Sequence, residues 1–246
     1  MEGIYRIAEH TILIRTLHEQ THRDAADFAA SGPATFTVET SQADIDAERV
    51  RNARTAEEER RSIRQHSDGY LESLAVYRKI AEYMPQNDTV LVHGSAIAVD
   101  GDAYLFTAES GTGKSTHARL WRELLGDRAV MINDDKPLIR IEPTGATVFG
   151  TPWNGKHHLG VNGCAPLRAI CMLERGTQNG IVRIEPKTAY PYLLRQTYRP
   201  DSPEAMRKTL MLLNRLTETV AFWRLKCNME PDAARVSYEA MRRDGR

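Results

Sequence analysis

One short segment, "AESGTGKST" (Ala108–Thr116), restricts the fold of this chain more than any other. It follows the apolar run "AYLFT", which predicts a strand, and it precedes helix-forming residues that end at Gly126. The segment matches the phosphate-loop pattern Gly-x-x-x-x-Gly-Lys-Ser/Thr, with Ala108 in place of the first glycine. Gly111 and Gly113 allow the backbone to turn its N–H groups inward. A glycine turn that only caps a helix is the alternative, and the strand–loop–helix order argues against it.

A loop of this kind predicts a nucleotide site. Its N–H groups and the helix N-terminus would surround the β-phosphate of a nucleotide. Lys114 would lie between β- and γ-phosphate oxygens, and the Ser115 hydroxyl would bind Mg²⁺. The residues expected to bind the nucleotide are Ser110, Gly111, Thr112, Gly113, Lys114, Ser115 and Thr116.

A pair of acids follows the next apolar run. "AVMINDD" places Asp134 and Asp135 at the end of a predicted strand, 20 and 21 residues after Lys114. One acid at such a position can hold Mg²⁺ directly or through water. The second can accept the proton of an attacking hydroxyl. A turn after a strand is the alternative interpretation, because Asp favours turns.

The order of predicted elements suggests two regions. Residues 1–86 predict a small α+β region with short β-like runs, a very polar helix and an amphipathic helix that ends at Pro85. This region carries no acid pair or glycine loop, so we expect it to cover the core or to recognise a substrate. Residues 87–246 predict a phosphate-loop domain of the α/β class, in which strands and helices alternate.

Composition narrows the possible partners and the compartment. The formal net charge is zero, which removes any global electrostatic argument for binding nucleic acid or a membrane. Three cysteines without a Cys-x-x-Cys pair predict neither a disulfide framework nor a thiolate zinc site. No segment approaches the roughly 20 apolar residues of a membrane span, and the first residues lack a signal-type apolar run. We therefore expect a cytoplasmic protein.

A second loop follows the acids. Glycines, a proline and an asparagine in "FGTPWNGKHH" (Phe149–His158) indicate a loop, and Lys156, His157 and His158 could face an anionic substrate. Adjacent histidines on a strand point to opposite faces, so zinc is not assigned to them. Arg175 ends a later strand, where it either reaches the transferring phosphate or is an exposed strand end.

The segment from Val92 to Leu138 resembles the catalytic domain of the HPr kinase/phosphorylase family and, more distantly, ATP-dependent phosphoenolpyruvate carboxykinase. Three features carry the resemblance: His93-Gly94 on a predicted strand ahead of the loop, the loop "ESGTGKS", and "NDD" (Asn133–Asp135). The whole chain resembles a group of HPr-kinase-like proteins, some of which are thought to act with peptide-modifying gene clusters. The family's own loop after the acids has no match here, so HPr itself is not the expected substrate.

The resemblance implies roles for single residues. Lys114 and Ser115 would bind phosphates and Mg²⁺. Asp134 would be the general base and Asp135 the metal ligand, or the two assignments could be exchanged. His93 would face the phosphates as a further catalytic residue, unless it is a core histidine that the backbone satisfies. The resemblance also implies a homo-oligomer.

The leading hypothesis is an ATP- and Mg²⁺-dependent kinase. Its acceptor would be a hydroxyl, either a serine of a peptide or protein or a small hydroxylated metabolite. A nucleotide-binding regulatory or assembly protein without group transfer is the main alternative, and a simple NTPase motor is a weaker one. The second acid separates the first two hypotheses, because a pure binder does not need it.

Overall fold

The computed structural model describes residues 1–58, 62–155 and 158–243. The chain divides into two units, Met1–Tyr83 and Met84–Arg246. The sequence predicts this boundary after residue 86.

The first unit combines a three-stranded sheet with helices. Its strands, in the order β1-β2-β3, are β1 (Glu2–Ile7), β2 (His10–Arg15) and β3 (Phe36–Glu39). Its helices are α1 (Gln20–Asp24), α2 (Gln42–Glu58) and α3 (Asp68–Tyr83). The Glu72 carboxylate on α3 is fully buried and accepts hydrogen bonds from the Leu17 and His18 N–H groups and from Thr40 Oγ1. These bonds satisfy a buried charge and fix the helix to both strand ends.

The second unit contains a nine-stranded mixed sheet and helices on both of its faces, so its class is α/β. The strands are β4 (Thr89–Leu91), β5 (Ser95–Val99), β6 (Asp102–Thr107), β7 (Ala129–Asn133), β8 (Leu138–Glu142), β9 (Gly145–Phe149), β10 (Cys164–Arg175), β11 (Gly180–Arg183) and β12 (Ala221–Cys227). The helices are α4 (Lys114–Leu125), α5 (Pro186–Gln196), α6 (Pro203–Thr219) and α7 (Asp232–Arg243).

The long strand β10 connects two parts of this sheet. Its first residues, Cys164–Pro166, pair antiparallel with β9, and the rest pairs in parallel with β6 and β12. On the other side of β6 lies β5, antiparallel to both β6 and β7. The strand that leads into the glycine loop is therefore central, and one antiparallel strand separates it from the strand that ends in the acids.

Two apolar layers cover the two faces of the sheet. Leu105 on β6 packs in a layer that includes residues of α5 and α6. Its neighbours Tyr104 and Phe106 point to the opposite layer, with Trp121 of α4. This alternation follows from the period of two along a strand. It fixes α4, and with it the glycine loop, against one face of the sheet.

Three local predictions differ from the structure. The sequence "PLIRIEPTGATVFG" predicts a hairpin with its turn at Thr144-Gly145, but the turn between β8 and β9 is formed by Pro143 and Thr144, since Gly145 already pairs with Glu142. Strand β11 was not predicted, because its short sequence is mostly exposed and has no core pattern. His93 does not lie on a strand: it and Gly94 form the bend between β4 and β5. Within the described residues, no helix is long and apolar enough to cross a membrane.

Candidate active site

The glycine loop lies between the end of β6 and the start of α4, as the sequence predicts. Gly111 and Gly113 have φ angles of 76° and 121°, which residues with a Cβ rarely adopt. Gly113 is the N-cap residue of α4, and no side chain caps the helix there. The first N–H groups of this helix are therefore available to an anion.

Lys114 extends back along the loop. Its Nζ atom donates hydrogen bonds to the carbonyl oxygens of Ala108 (2.9 Å) and Glu109 (3.3 Å). Burial lowers the pKa of Lys114; the charge of Asp135 opposes this shift and that of Lys136 adds to it. An ammonium group has three donors, so one remains for a phosphate oxygen.

The two acids extend from the end of β7 in different surroundings. Asp134 is buried, with 5% of its surface exposed, and it accepts a hydrogen bond from the Gly155 N–H group. Asp134 and Ser115 line the same cavity, which has a volume of about 310 Å³. The structure thus brings together a hydroxyl of the loop and a carboxylate that the sequence places 19 residues later.

The Asp135 carboxylate lies beside two basic side chains. Its Oδ1 atom lies 3.3 Å from His93 Nε2, and its Oδ2 atom lies 3.1 Å from Lys136 Nζ. Burial alone would raise the pKa of Asp135, but the hydrogen bond from His93 and the charge of Lys136 outweigh it and lower the pKa to about 2. This carboxylate is therefore ionised throughout the physiological range.

The bend at His93 is held by backbone contacts. The His93 N–H group donates to the carbonyl of Gln196 (2.7 Å), and the His93 carbonyl accepts from Thr107 Oγ1 (2.8 Å). A Cβ at Gly94 would lie 2.8 Å from the Phe106 carbonyl oxygen, so only glycine fits this close approach. The bend, and not a strand, therefore directs the His93 ring towards Asp135.

Asn133 is a positioning residue that the sequence alone does not identify. It is fully buried, and its Oδ1 atom accepts from the N–H groups of Asp135 (2.9 Å) and Lys136 (2.7 Å). Its Nδ2 group donates to the carbonyl and the hydroxyl of Thr151, at 3.1 Å each. The sequence signal for this role is the place of Asn133 directly before the acids, because Asn side chains commonly accept hydrogen bonds from backbone N–H groups two residues further along the chain.

Two further cavities adjoin the loop. One, of about 480 Å³, is lined by Gly111–Gly113 and Thr116, by His117 and Leu120 of α4, and by Cys227, Asn228 and Met229 after β12. The other, of about 310 Å³, lies towards α5 and includes Arg195. Arg175 lines both, and its Nη2 group donates to the Gly111 carbonyl at 2.6 Å. Arg175 is thus the exposed last residue of β10, and it also contacts the loop.

The remaining predicted residues lie as follows. Ser110 and Ser115 are exposed on the loop, and Thr112 and Thr116 are partly buried. His158 is exposed and has a φ of 46°. Lys156 and His157, the other candidate substrate contacts, lie outside the described residues. Among the described residues, no group of three His, Cys, Asp or Glu side chains could hold a metal ion.

Comparisons with known proteins give a likeness in structure but none in sequence. No protein-family model matches the chain, and no curated protein matches it in sequence. The fold is similar to that of the HPr(Ser) kinase/phosphatase from Coxiella burnetii, with a TM-score of 0.36 and 9% sequence identity. The alignment covers 63% of this chain and 99% of that chain.

Proposed function

We propose that this chain is an ATP- and Mg²⁺-dependent kinase that transfers a γ-phosphate to a hydroxyl. The acceptor is a serine of a peptide or protein, or a small hydroxylated metabolite. The observation that carries the proposal is the cavity shared by Ser115 and Asp134, since it joins a phosphate loop to a carboxylate that can act on an acceptor.

The chain's own groups divide the chemistry as follows. The loop N–H groups and Lys114 hold the phosphates and offset their charge. The acceptor oxygen bonds to the γ-phosphorus while the bond to the β–γ bridging oxygen breaks, ADP leaves, and the acceptor proton passes to Asp134. Phosphoryl transfer requires little more of a protein than this positioning and charge neutralisation.

The residues also fit a magnesium ion. The low pKa of Asp135 keeps its carboxylate anionic, as a hard cation requires. Ser115 would supply a hydroxyl ligand and Asp135 a carboxylate. A bound Mg²⁺ offsets charge on the phosphate oxygens.

The nucleoside is placed in the cavity of about 480 Å³. This cavity is lined by the loop residues Gly111–Gly113 and Thr116, and it lies on the face of α4 that carries His117 and Leu120. Its apolar walls suit a base, and most small-molecule sites combine such walls with a few polar groups.

The test is phosphate transfer from ATP across a Mg²⁺ titration, with ATP hydrolysis as the readout until an acceptor is identified. Asp134→Asn should lower the rate by roughly 10²–10⁴-fold and leave nucleotide binding nearly unchanged. Asp135→Asn should weaken Mg²⁺ binding, so extra Mg²⁺ should partly restore its activity. Lys114→Ala should abolish transfer in a folded protein, and Lys187→Ala, at an exposed position on α5, is its control.

Two results would contradict the proposal. If the Asp134 and Asp135 variants bind and turn over ATP like the wild type, the acids form only a turn. If the wild type binds ATP·Mg²⁺ without any turnover, the chain is a nucleotide-binding regulatory protein.

A further inference from the structure

The cavity that joins Ser115 to Asp134 is also lined by two arginines. Arg119 and Arg122 of α4 form one wall, and Met131 and Leu159 add apolar surface. Neither arginine has a role in the phosphate loop, and neither lines the two other cavities beside it.

Helical spacing places these side chains in one stripe. Ser115, Arg119 and Arg122 lie at positions i, i+4 and i+7 of α4, so they share a face of the helix. His117 and Leu120, which line the larger cavity, lie on the opposite face. The rise per residue puts Arg119 about 6 Å and Arg122 about 10 Å along the axis from Ser115.

The charges of the stripe are incompletely balanced. Arg122 is partly buried and, among the described residues, has no acidic partner. Arg119 pairs with Glu123 at 2.5 Å, but both side chains are more than half exposed. Exposed pairs of this kind contribute little, so Arg119 can exchange this partner at small cost. Asp134 is the one carboxylate among the residues that line this cavity, and the Gly155 N–H group already binds it.

We propose that this cavity binds an anionic group of the acceptor, a carboxylate or a phosphate, beside the hydroxyl that is phosphorylated. Guanidinium groups match the planar or tetrahedral oxygens of such anions with paired hydrogen bonds. The proposal rests on the kinase function and adds to it a class of acceptor. Neutral alcohols would leave Arg122 without a counter-charge.

The anion site can be tested without knowing the acceptor. Protein labelled with ¹⁵N-arginine is loaded with a non-hydrolysable ATP analogue and Mg²⁺, and the Nε–H signals of Arg119 and Arg122 are followed by NMR. The signals are assigned with Arg119→Gln and Arg122→Gln. Sulfate and acetate are the probes for a tetrahedral and a planar anion, and glycerol is the neutral control.

We expect saturable shifts of both signals with at least one anion and none with glycerol. The stronger of the two probes identifies the group that the acceptor carries. The double variant Arg119→Gln/Arg122→Gln should weaken anion binding roughly tenfold or more. Arg207→Gln, which removes an exposed arginine from α6, should bind the anions like the wild type.

Three results would overturn the proposal. These are the absence of saturable shifts at both arginines, unchanged anion binding in the double variant, and occupation of the site by the nucleotide analogue itself. A failure of the proposed kinase function would give a result different from these three. If the analogue fails to bind at all, the nucleotide site is wrong, and the same titration of the free protein still decides whether the arginines bind an anion.

Discussion

His93 Nε2 lies 3.3 Å from Asp135 Oδ1, so the bend before β5 and the end of β7 meet through a hydrogen-bonded pair. The hydrogen bond from His93 contributes to the lowered pKa of Asp135. The pair therefore connects two separate sequence features, His93-Gly94 and the segment Asn133–Asp135.

Replacing His93 should mainly change how ATP turnover depends on the Mg²⁺ concentration. In His93→Ala the Asp135 carboxylate loses a donor that orients it, and its pKa rises towards the ordinary range. We expect the Mg²⁺ concentration for half-maximal ATP turnover to rise about tenfold, as for other outer partners of metal ligands. His93→Gln, which keeps an N–H donor, should recover much of the loss. A fall in the maximal rate with an unchanged Mg²⁺ dependence would mean that His93 contacts the reacting groups instead of orienting Asp135.

Gly155→Ala should displace the proposed base without changing its chemistry. A Cβ at this position would lie 2.7 Å from Asp134 Oδ2, whereas Gly145 has no heavy atom within 4 Å of its Cβ position. We expect Gly155→Ala to lower phosphate transfer by roughly 10²-fold with nucleotide affinity retained. Gly145→Ala is the matched control and should behave like the wild type. Equal rates for the two variants would mean that the placement of Asp134 is unimportant.

Met229→Glu should weaken nucleotide binding through the larger cavity. Met229 is 77% exposed at the cavity wall, and Met211 on α6 is 56% exposed elsewhere. A carboxylate at 229 removes apolar surface and repels the phosphates, and we expect the Kd for nucleotide to rise about tenfold. Met211→Glu should leave the Kd unchanged. If both variants bind equally well, the base occupies another cavity.

Stability should fall on mild acidification because of His117. Its Nε2 atom lies 3.0 Å from Ser237 Oγ, which also accepts from the Trp121 indole N–H and donates to α7 carbonyls. Burial lowers the pKa of His117 to about 4. As the pH falls, His117 therefore takes up a proton in the unfolded chain at a higher pH than in the folded protein. The contribution of neutral His117 to the free energy of unfolding is complete above about pH 6.5 and declines towards pH 4.

The size of this effect is on the order of 3 kcal/mol. Urea unfolding from pH 7.5 to pH 4 should show this decline in the wild type and a flatter profile in His117→Phe. The groups that titrate elsewhere act on both proteins alike, so the difference between the profiles isolates His117. Parallel profiles would show that the histidine titrates normally in the folded protein.

Local signals in the sequence determined much of the fold. The loop from Ala108 to Lys114 was predictable because glycines, a preceding apolar strand and a following helix act over a few residues. The α/β class followed from the same local patterns, and Asp134 and Asp135 were recognisable at the end of an apolar run. The bonds from Asn133 to the next N–H groups are local, but its orientation also depends on contacts with Thr151, in a segment that sequence spacing does not bring near.

Only the tertiary structure decided which of these elements meet. Strand β5 lies antiparallel between β6 and β7, and this order places Asp134 on the cavity of Ser115 and Asp135 against His93. No sequence pattern assigns a role to Arg119 and Arg122; packing of α4 on the sheet places them on the wall of that cavity. Strand order and helix rotation result from burial summed over two apolar layers, so no short pattern encodes them.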